Sequence, residues 1–72
     1  MTPQKKAESL VHQYRILLMN EGENYEEEIL VSILAKRNAL LAAENIRTEM
    51  VQAQNYERAI YWRDVKSQIK ML

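Results

Sequence analysis

The chain has 72 residues, no Cys, and ten basic against ten acidic residues. Without Cys it has neither a disulfide framework nor a thiolate metal site, and at zero net charge it is not a general nucleic-acid binder, so any anion site must be a local patch. No apolar run approaches the roughly 20 residues that cross a bilayer, and Lys5 and Lys6 precede a charged amphipathic segment. We therefore expect no signal peptide and one cytoplasmic domain over residues 1–72 without membrane contact.

The composition predicts an all-α chain of three helices, near residues 3–20, 25–51 and 56–71. One Gly and one Pro argue against a turn-rich β fold, and the Ala, Leu, Glu, Lys, Gln and Arg content favours helix. Thr2-Pro3 predicts the start of the first helix, because the Thr hydroxyl can cap the helix and Pro is favoured at the first helical position. Gly22 predicts the first end, since Gly takes the left-handed cap. Apolar residues recur between them at spacings of three and four: Ala7, Leu10, Val11, Tyr14, Leu17 and Leu18.

The second helix is the most apolar segment of the chain. Asn24 is predicted to be the N-cap of this helix. Its side chain can accept a hydrogen bond from the backbone of Glu27, and the Glu27 side chain can bond back to the backbone of Asn24, as in a capping box. Eleven of the fifteen residues from 29 to 43 are apolar, and a helix that is apolar on most sides is covered on most sides. Because two further helices of so short a chain hardly suffice, we expect a helical homo-oligomer, the alternative being a monomeric bundle with some exposed Leu. The expected subunit interface contains Ile33, Leu34, Leu40 and Leu41.

The third helix is expected to begin near Asn55, which caps it as Asn24 caps the second. Its apolar stripe consists of Ala59, Trp62, Val65, Ile69 and Leu72. No Gly or Pro marks the break at residues 52–54, so two separate helices and one continuous rod are both compatible with the sequence.

No arrangement of residues indicates catalysis. His12 is the only His, and no second ligand lies at helical spacing from it, as a metal site would require. The sequence contains no Ser-His-Asp or Cys-His arrangement of a nucleophile and its base, and a single Gly cannot build a Gly-rich phosphate loop. We therefore expect no enzyme, no metal and no cofactor.

Cationic side chains near aromatic ones are the candidates for ligand binding. Lys36 and Arg37 interrupt the apolar middle of the second helix, so one of them should lie at an interface, paired or bound to an anion. On the third helix basic residues share a face flanked by aromatic residues, which suits the phosphates and bases of a nucleotide. The alternative is that Trp62 belongs to the core and that the basic residues interact favourably with the negative end of the helix dipole. The candidate ligand-binding residues are Lys36, Arg37, Tyr61, Trp62, Arg63, Lys66 and Lys70.

A spaced pattern ends the chain: Met50, Ala53, Tyr56-Glu57, Ala59 and Arg63-Asp64. It resembles the UVR motif, a helical hairpin of bacterial excision-repair and Clp-associated proteins that mediates protein–protein contacts. This resemblance covers about the last third of the chain. It implies a helical interaction module that docks on a host protein.

Three further blocks run through nearly the whole chain: Lys6-Ala7-Glu8-x-Leu10-Val11, Ala35-Lys36-x-x-Ala39-Leu40-x-Ala42 and Tyr61-Trp62-x-x-Val65-Lys66-x-x-Ile69. In this order they resemble a family of short helical proteins of phages and their bacterial hosts. Very short phage proteins that form helical oligomers often counter host defence, and a recurring way is to sequester its nucleotide signal. The resemblance therefore implies a non-enzymatic protein that binds a nucleotide-derived immune signal, either a cyclic oligonucleotide or an ADP-ribose-type molecule.

Overall fold

The fold is that of a three-helix bundle. A computed structural model describes the backbone of residues 1–21 and 28–72 and the side chains of residues 1–19 and 30–72. The helices are α1 (Pro3–Glu21), α2 (Glu28–Gln52) and α3 (Tyr56–Met71). Each helix contacts the other two, which confirms the predicted all-α, three-helix chain. Within the described residues, no helix is both long and apolar enough to cross a bilayer.

Helix α1 begins as the Thr2-Pro3 pair predicts. The Thr2 hydroxyl accepts a hydrogen bond from the backbone N–H of Lys5 at 3.2 Å, and the Thr2 carbonyl accepts from Lys6 N at 2.9 Å. This side chain satisfies one of the N–H groups that a helix start leaves without a partner. The predicted caps at Gly22, Asn24 and Glu27 lie outside the described residues.

The break between α2 and α3 is a Schellman motif built without Gly. Asn55 N donates to the carbonyl of Met50 at 2.8 Å, and Gln54 N donates to that of Val51 at 3.0 Å, which are the two hydrogen bonds of the motif. Gln54 takes the left-handed conformation at φ 59°. The Asn55 side chain then caps α3 by accepting from Arg58 N at 3.2 Å. Helices α2 and α3 are therefore separate.

Helix α2 turns its small residues inward. Ala35, Ala39 and Ala43 follow one another at intervals of four and are fully buried. Small side chains at these positions let α1 and α3 pack closely against α2. The buried core is made of Ala7, Val11, Ala35, Ala39, Ala43, Trp62, Val65 and Ile69. Apart from the buried Val31, the larger apolar side chains described on α2 lie at its margins or on its outside.

Candidate functional site

The two aromatic residues of the predicted ligand group are engaged within the chain. Trp62 is 6% exposed and belongs to the core. Tyr61 is half-buried, its hydroxyl donates to the Met1 carbonyl at 2.9 Å, and its ring meets Trp62 edge-on with centroids 5.7 Å apart. The Arg58 guanidinium lies 4.5 Å from the Tyr61 ring centroid, and Lys6 Nζ lies 5.7 Å from the Trp62 ring. These rings stabilise the bundle, and neighbouring cations already cover them.

Two of the four basic residues of α3, Arg63 and Lys66, are paired with carboxylates. Lys66 Nζ lies 2.5 Å from a Glu44 carboxylate oxygen, which ties α3 to α2. Arg63 contacts its neighbour Asp64 at 3.1 Å. Lys70 is exposed, and no ion pair involves it within the described side chains. The α3 cations are thus spread along the helix surface and do not converge on one cavity.

Glu44 is the most strongly perturbed ionisable group among the described residues. Hydrogen bonds from Arg47 and then from Lys66 lower the pKa of Glu44 from 4.5 to about 2. The contact between Arg47 and Glu44, at 2.6 Å, raises the pKa of Arg47. Opposite charges in hydrogen-bonding range favour the ionised forms of both partners. Glu44 therefore stays a carboxylate and holds Lys66 in place.

One side of α2 carries exposed apolar residues around a cation. Leu30, Ile33, Arg37 and Leu41 are all exposed, and their spacing of three, four and four residues places them on one side of a helix. We call these four residues the outer face of α2. Ile33 is 50% exposed and Leu41 64%. The two other predicted interface residues differ, because Leu34 is half-buried and Leu40 packs against the core.

A cavity of about 320 Å³ lies between α1, α2 and the end of α3. We call it the α1–α2 cavity. It combines three nitrogen-bearing side chains with a carboxylate, a hydroxyl and apolar walls, and its size is at the lower end of that of small-molecule sites. Its lining residues are Glu8, Val11, His12, Arg15, Ser32, Lys36 and Leu72.

Within residues 1–19 and 30–72, no Asp or Glu side chain pairs with two cations of this cavity, Lys36 and Arg15. The ion pairs within residues 1–19 and 30–72 join Arg47 and Lys66 to Glu44, and Arg63 to Asp64. Lys36 Nζ donates to the Leu72 carbonyl. Arg15 Nε is buried and has no hydrogen-bond partner among the described residues. A buried donor without a partner costs about 1–3 kcal/mol. Both cations line the cavity, so an anionic ligand there would lie beside two positive charges.

Sequence reasoning found one residue of this cavity and missed the rest. Lys36 belongs to the predicted ligand group, whereas Arg15 and Ser32 do not. The signal for Arg15 was its place four residues after Val11, within the apolar stripe of α1. A charge on a buried stripe needs a partner or a ligand. His12 lines the cavity as well, and the described residues contain no cluster suited to a metal ion.

No protein-family model, no curated protein and no solved structure matches the chain. The resemblances to the UVR motif and to short phage proteins therefore stay predictions from the residues. Two features of this chain bear on its function, the outer face of α2 and the α1–α2 cavity.

Proposed function

We propose that the protein is a non-enzymatic binding protein that works as a homo-oligomer and sequesters a nucleotide-derived anion. The oligomer assembles through the outer face of α2. The ligand is an immune signal of a bacterial host, a cyclic oligonucleotide or an ADP-ribose-type molecule, held in the cytoplasm. The observation that carries this proposal is the exposure of Arg37 among Leu30, Ile33 and Leu41.

Exposed apolar side chains support self-association. Leu30 is 42% exposed, Ile33 50% and Leu41 64%. Large apolar side chains on the outer face of α2 supply the hydrophobic centre that such an interface needs. Pairing two copies through this face removes that apolar surface from water.

The position of Arg37 on the outer face of α2 favours an anionic ligand. Its neighbours on α2 at three and four residues are Ile33, Leu34, Leu40 and Leu41, so its own helix offers it no carboxylate. In a two-fold interface a residue near the axis meets its own copy. Two guanidinium groups taken out of water require a counter-charge. A phosphate bridging the two Arg37 side chains supplies it by charge-assisted hydrogen bonds.

The nucleotide class of the ligand rests on the resemblance to short phage proteins. Further cations are available to such a ligand, because Lys36 directly precedes Arg37 along the chain and Lys70 and Arg63 are exposed on α3. Stable sequestration needs affinity and no bond cleavage, so the ligand is released chemically intact when the protein is denatured.

Calorimetric titration with cyclic di- and trinucleotides and with ADP-ribose-type molecules tests this proposal. Arg37→Gln should weaken binding by about tenfold or more, since a hydrogen bond to a charged group contributes about 1.5–3 kcal/mol. Lys5→Gln is the matched control, because Lys5 is an exposed cation outside both candidate sites. Absence of heat with every nucleotide, or recovery of a cleaved ligand, would show that the proposal is wrong.

A second candidate function is docking on a host protein through α3. Tyr56 is 60% exposed and Ile60 is 50% exposed, and Glu57 and Arg63 are exposed on the same helix. This surface contains residues of the UVR-like pattern, and exposed aromatic side chains are enriched in binding hot spots. Affinity capture from bacterial lysate with the wild type and with Tyr56→Ser distinguishes the two candidates. Capture of one dominant protein, lost with Tyr56→Ser, favours docking, and equal recovery with both chains counts against it.

A further inference from the structure

We infer that the α1–α2 cavity holds one nucleotide unit of the ligand, with Arg15 and Lys36 on its phosphate and Glu8 on its N–H or O–H groups. This inference rests on the proposed function, because it takes a nucleotide-derived anion as the ligand. It adds a site that lies within a single chain and that self-association does not create.

The cavity brings together two permanent cations from two different helices. On α1, Glu8, Val11 and Arg15 are spaced by three and four residues, so they share one side of the helix. On α2, Ser32 and Lys36 are four residues apart and line the same cavity from the opposite wall. Two helices that pack side by side therefore hold a guanidinium and an ammonium at one cavity. This is the donor set that phosphate groups require.

Both cations have donors left for a ligand. Lys carries three N–H donors and Arg five. Lys36 uses one of its donors on the Leu72 carbonyl, and two remain. Arg15 lines the cavity and forms no ion pair with a described side chain. Elsewhere in the described part of the chain, Arg47, Arg63 and Lys66 are paired with carboxylates, whereas no Asp or Glu side chain described there pairs with Arg15 or Lys36.

Glu8 and the cavity size narrow the class of ligand. A carboxylate beside the two cations opposes a bare anion and favours a molecule that also donates hydrogen bonds. Sugar hydroxyls and base amines of a nucleotide are such donors. His12 and Ser32 offer further hydrogen bonds, and Val11 and Leu72 provide apolar walls. A cavity of about 320 Å³ admits one nucleotide unit, so a cyclic oligonucleotide inserts one unit and leaves the others outside.

Binding of AMP tests the cavity separately from the outer face of α2. We expect saturable NMR shifts of the backbone amides of residues 8–15 and 32–36 in the wild-type chain on addition of AMP. Arg15→Gln and Lys36→Met should each weaken AMP binding about tenfold or more, which corresponds to the loss of one charge-assisted hydrogen bond. Lys5→Gln should leave AMP binding unchanged, since Lys5 is an exposed cation that does not line the cavity. Shift mapping on the wild type needs no substitution, so it decides the matter even where a variant does not fold.

The outcomes separate the inference from the proposed function. If cyclic nucleotides bind and only Arg37→Gln weakens them, with no shift around the cavity, the cavity inference is overturned and the proposed function stands. If AMP shifts the cavity amides and no signal nucleotide binds, the cavity inference stands and the proposed function fails. If no phosphate-bearing probe shifts any amide, both are wrong.

Discussion

The substitution Leu41→Gln tests whether the outer face of α2 is a subunit interface. Leu41 is 64% exposed in the single chain, so a polar residue there costs a monomer almost nothing. Gln is close to Leu in size and in helix propensity. The variant should therefore keep its helix content and its melting behaviour as a bundle while losing its self-association. Leu40 would be a poor choice for this test, because it packs against the core and a polar residue there destabilises the chain itself.

The expected magnitude follows from the exposed fraction of Leu41. Burying a whole Leu side chain contributes about 1.5–3 kcal/mol, so burying the exposed part in an interface contributes about 1–2 kcal/mol per copy. A two-fold interface contains this contact twice, which gives about 2–4 kcal/mol per dimer. At 1.4 kcal/mol for each factor of ten, the dissociation constant should rise by a factor of roughly 30 to 1,000.

Sedimentation velocity over the micromolar range measures this change, with circular dichroism as the check on folding. Ile60→Gln is the matched control, since Ile60 is 50% exposed but lies on α3. We expect Ile60→Gln to assemble like the wild type. Equal assembly of Leu41→Gln and wild type would refute the interface on α2, and dissociation by Ile60→Gln instead would place the interface on α3.

Three further predictions concern the bundle itself. Ile69→Ala removes a fully buried side chain and should lower the free energy of unfolding by about 2–5 kcal/mol in urea titration, whereas Lys70→Ala, on the exposed side of α3, should leave it nearly unchanged. The pKa of Glu44 is lowered from 4.5 to about 2, so its ion pairs stabilise the fold above about pH 4.5, and this stabilisation is lost as the pH falls through about 2. In urea titration, Glu44→Gln should therefore have a lower free energy of unfolding than the wild type at pH 7. An equally large difference at pH 2 would contradict this. Gln54→Gly relieves a left-handed residue at φ 59° and should raise the unfolding free energy by about 0.5–1 kcal/mol, where a lower value would argue against the Schellman motif.

Local signals in the sequence predicted the helices well. Thr2-Pro3 and Asn55 act through hydrogen bonds between residues close together in the chain, so a short stretch of sequence is enough to predict their effect. The end of α2 was harder to predict, because the left-handed position holds Gln54 where a Gly would have marked it. Separate α2 and α3 therefore follow from backbone hydrogen bonds that composition does not reveal.

The orientation of α2 could not be predicted from its composition. With apolar residues on most sides, the sequence does not show which side faces the bundle. Close packing of α1 and α3 places the small residues Ala35, Ala39 and Ala43 inside, and Ile33 and Leu41 remain exposed. The choice depends on the fit between helices, which is a property of the assembled bundle.

The candidate site was predictable only where one helix contains it. Lys36 stood out because it interrupts an apolar helix, whereas the proximity of Arg15 to it arises from the packing of α1 against α2. For Trp62 the core stripe and the binding group made opposite predictions, and the side chain lies in the core. Periodicity reports the faces of single helices, and a cavity between two helices needs their relative placement.

Native mass spectrometry of the wild-type chain, with and without cyclic nucleotides and ADP-ribose-type molecules, tests the central claim most directly. A self-associating nucleotide binder should give a mass that is a multiple of 8.5 kDa, increased on ligand addition by the mass of intact nucleotides. A species of 8.5 kDa at micromolar concentration that takes up no nucleotide mass would contradict both the assembly through α2 and the binding of a nucleotide-derived anion.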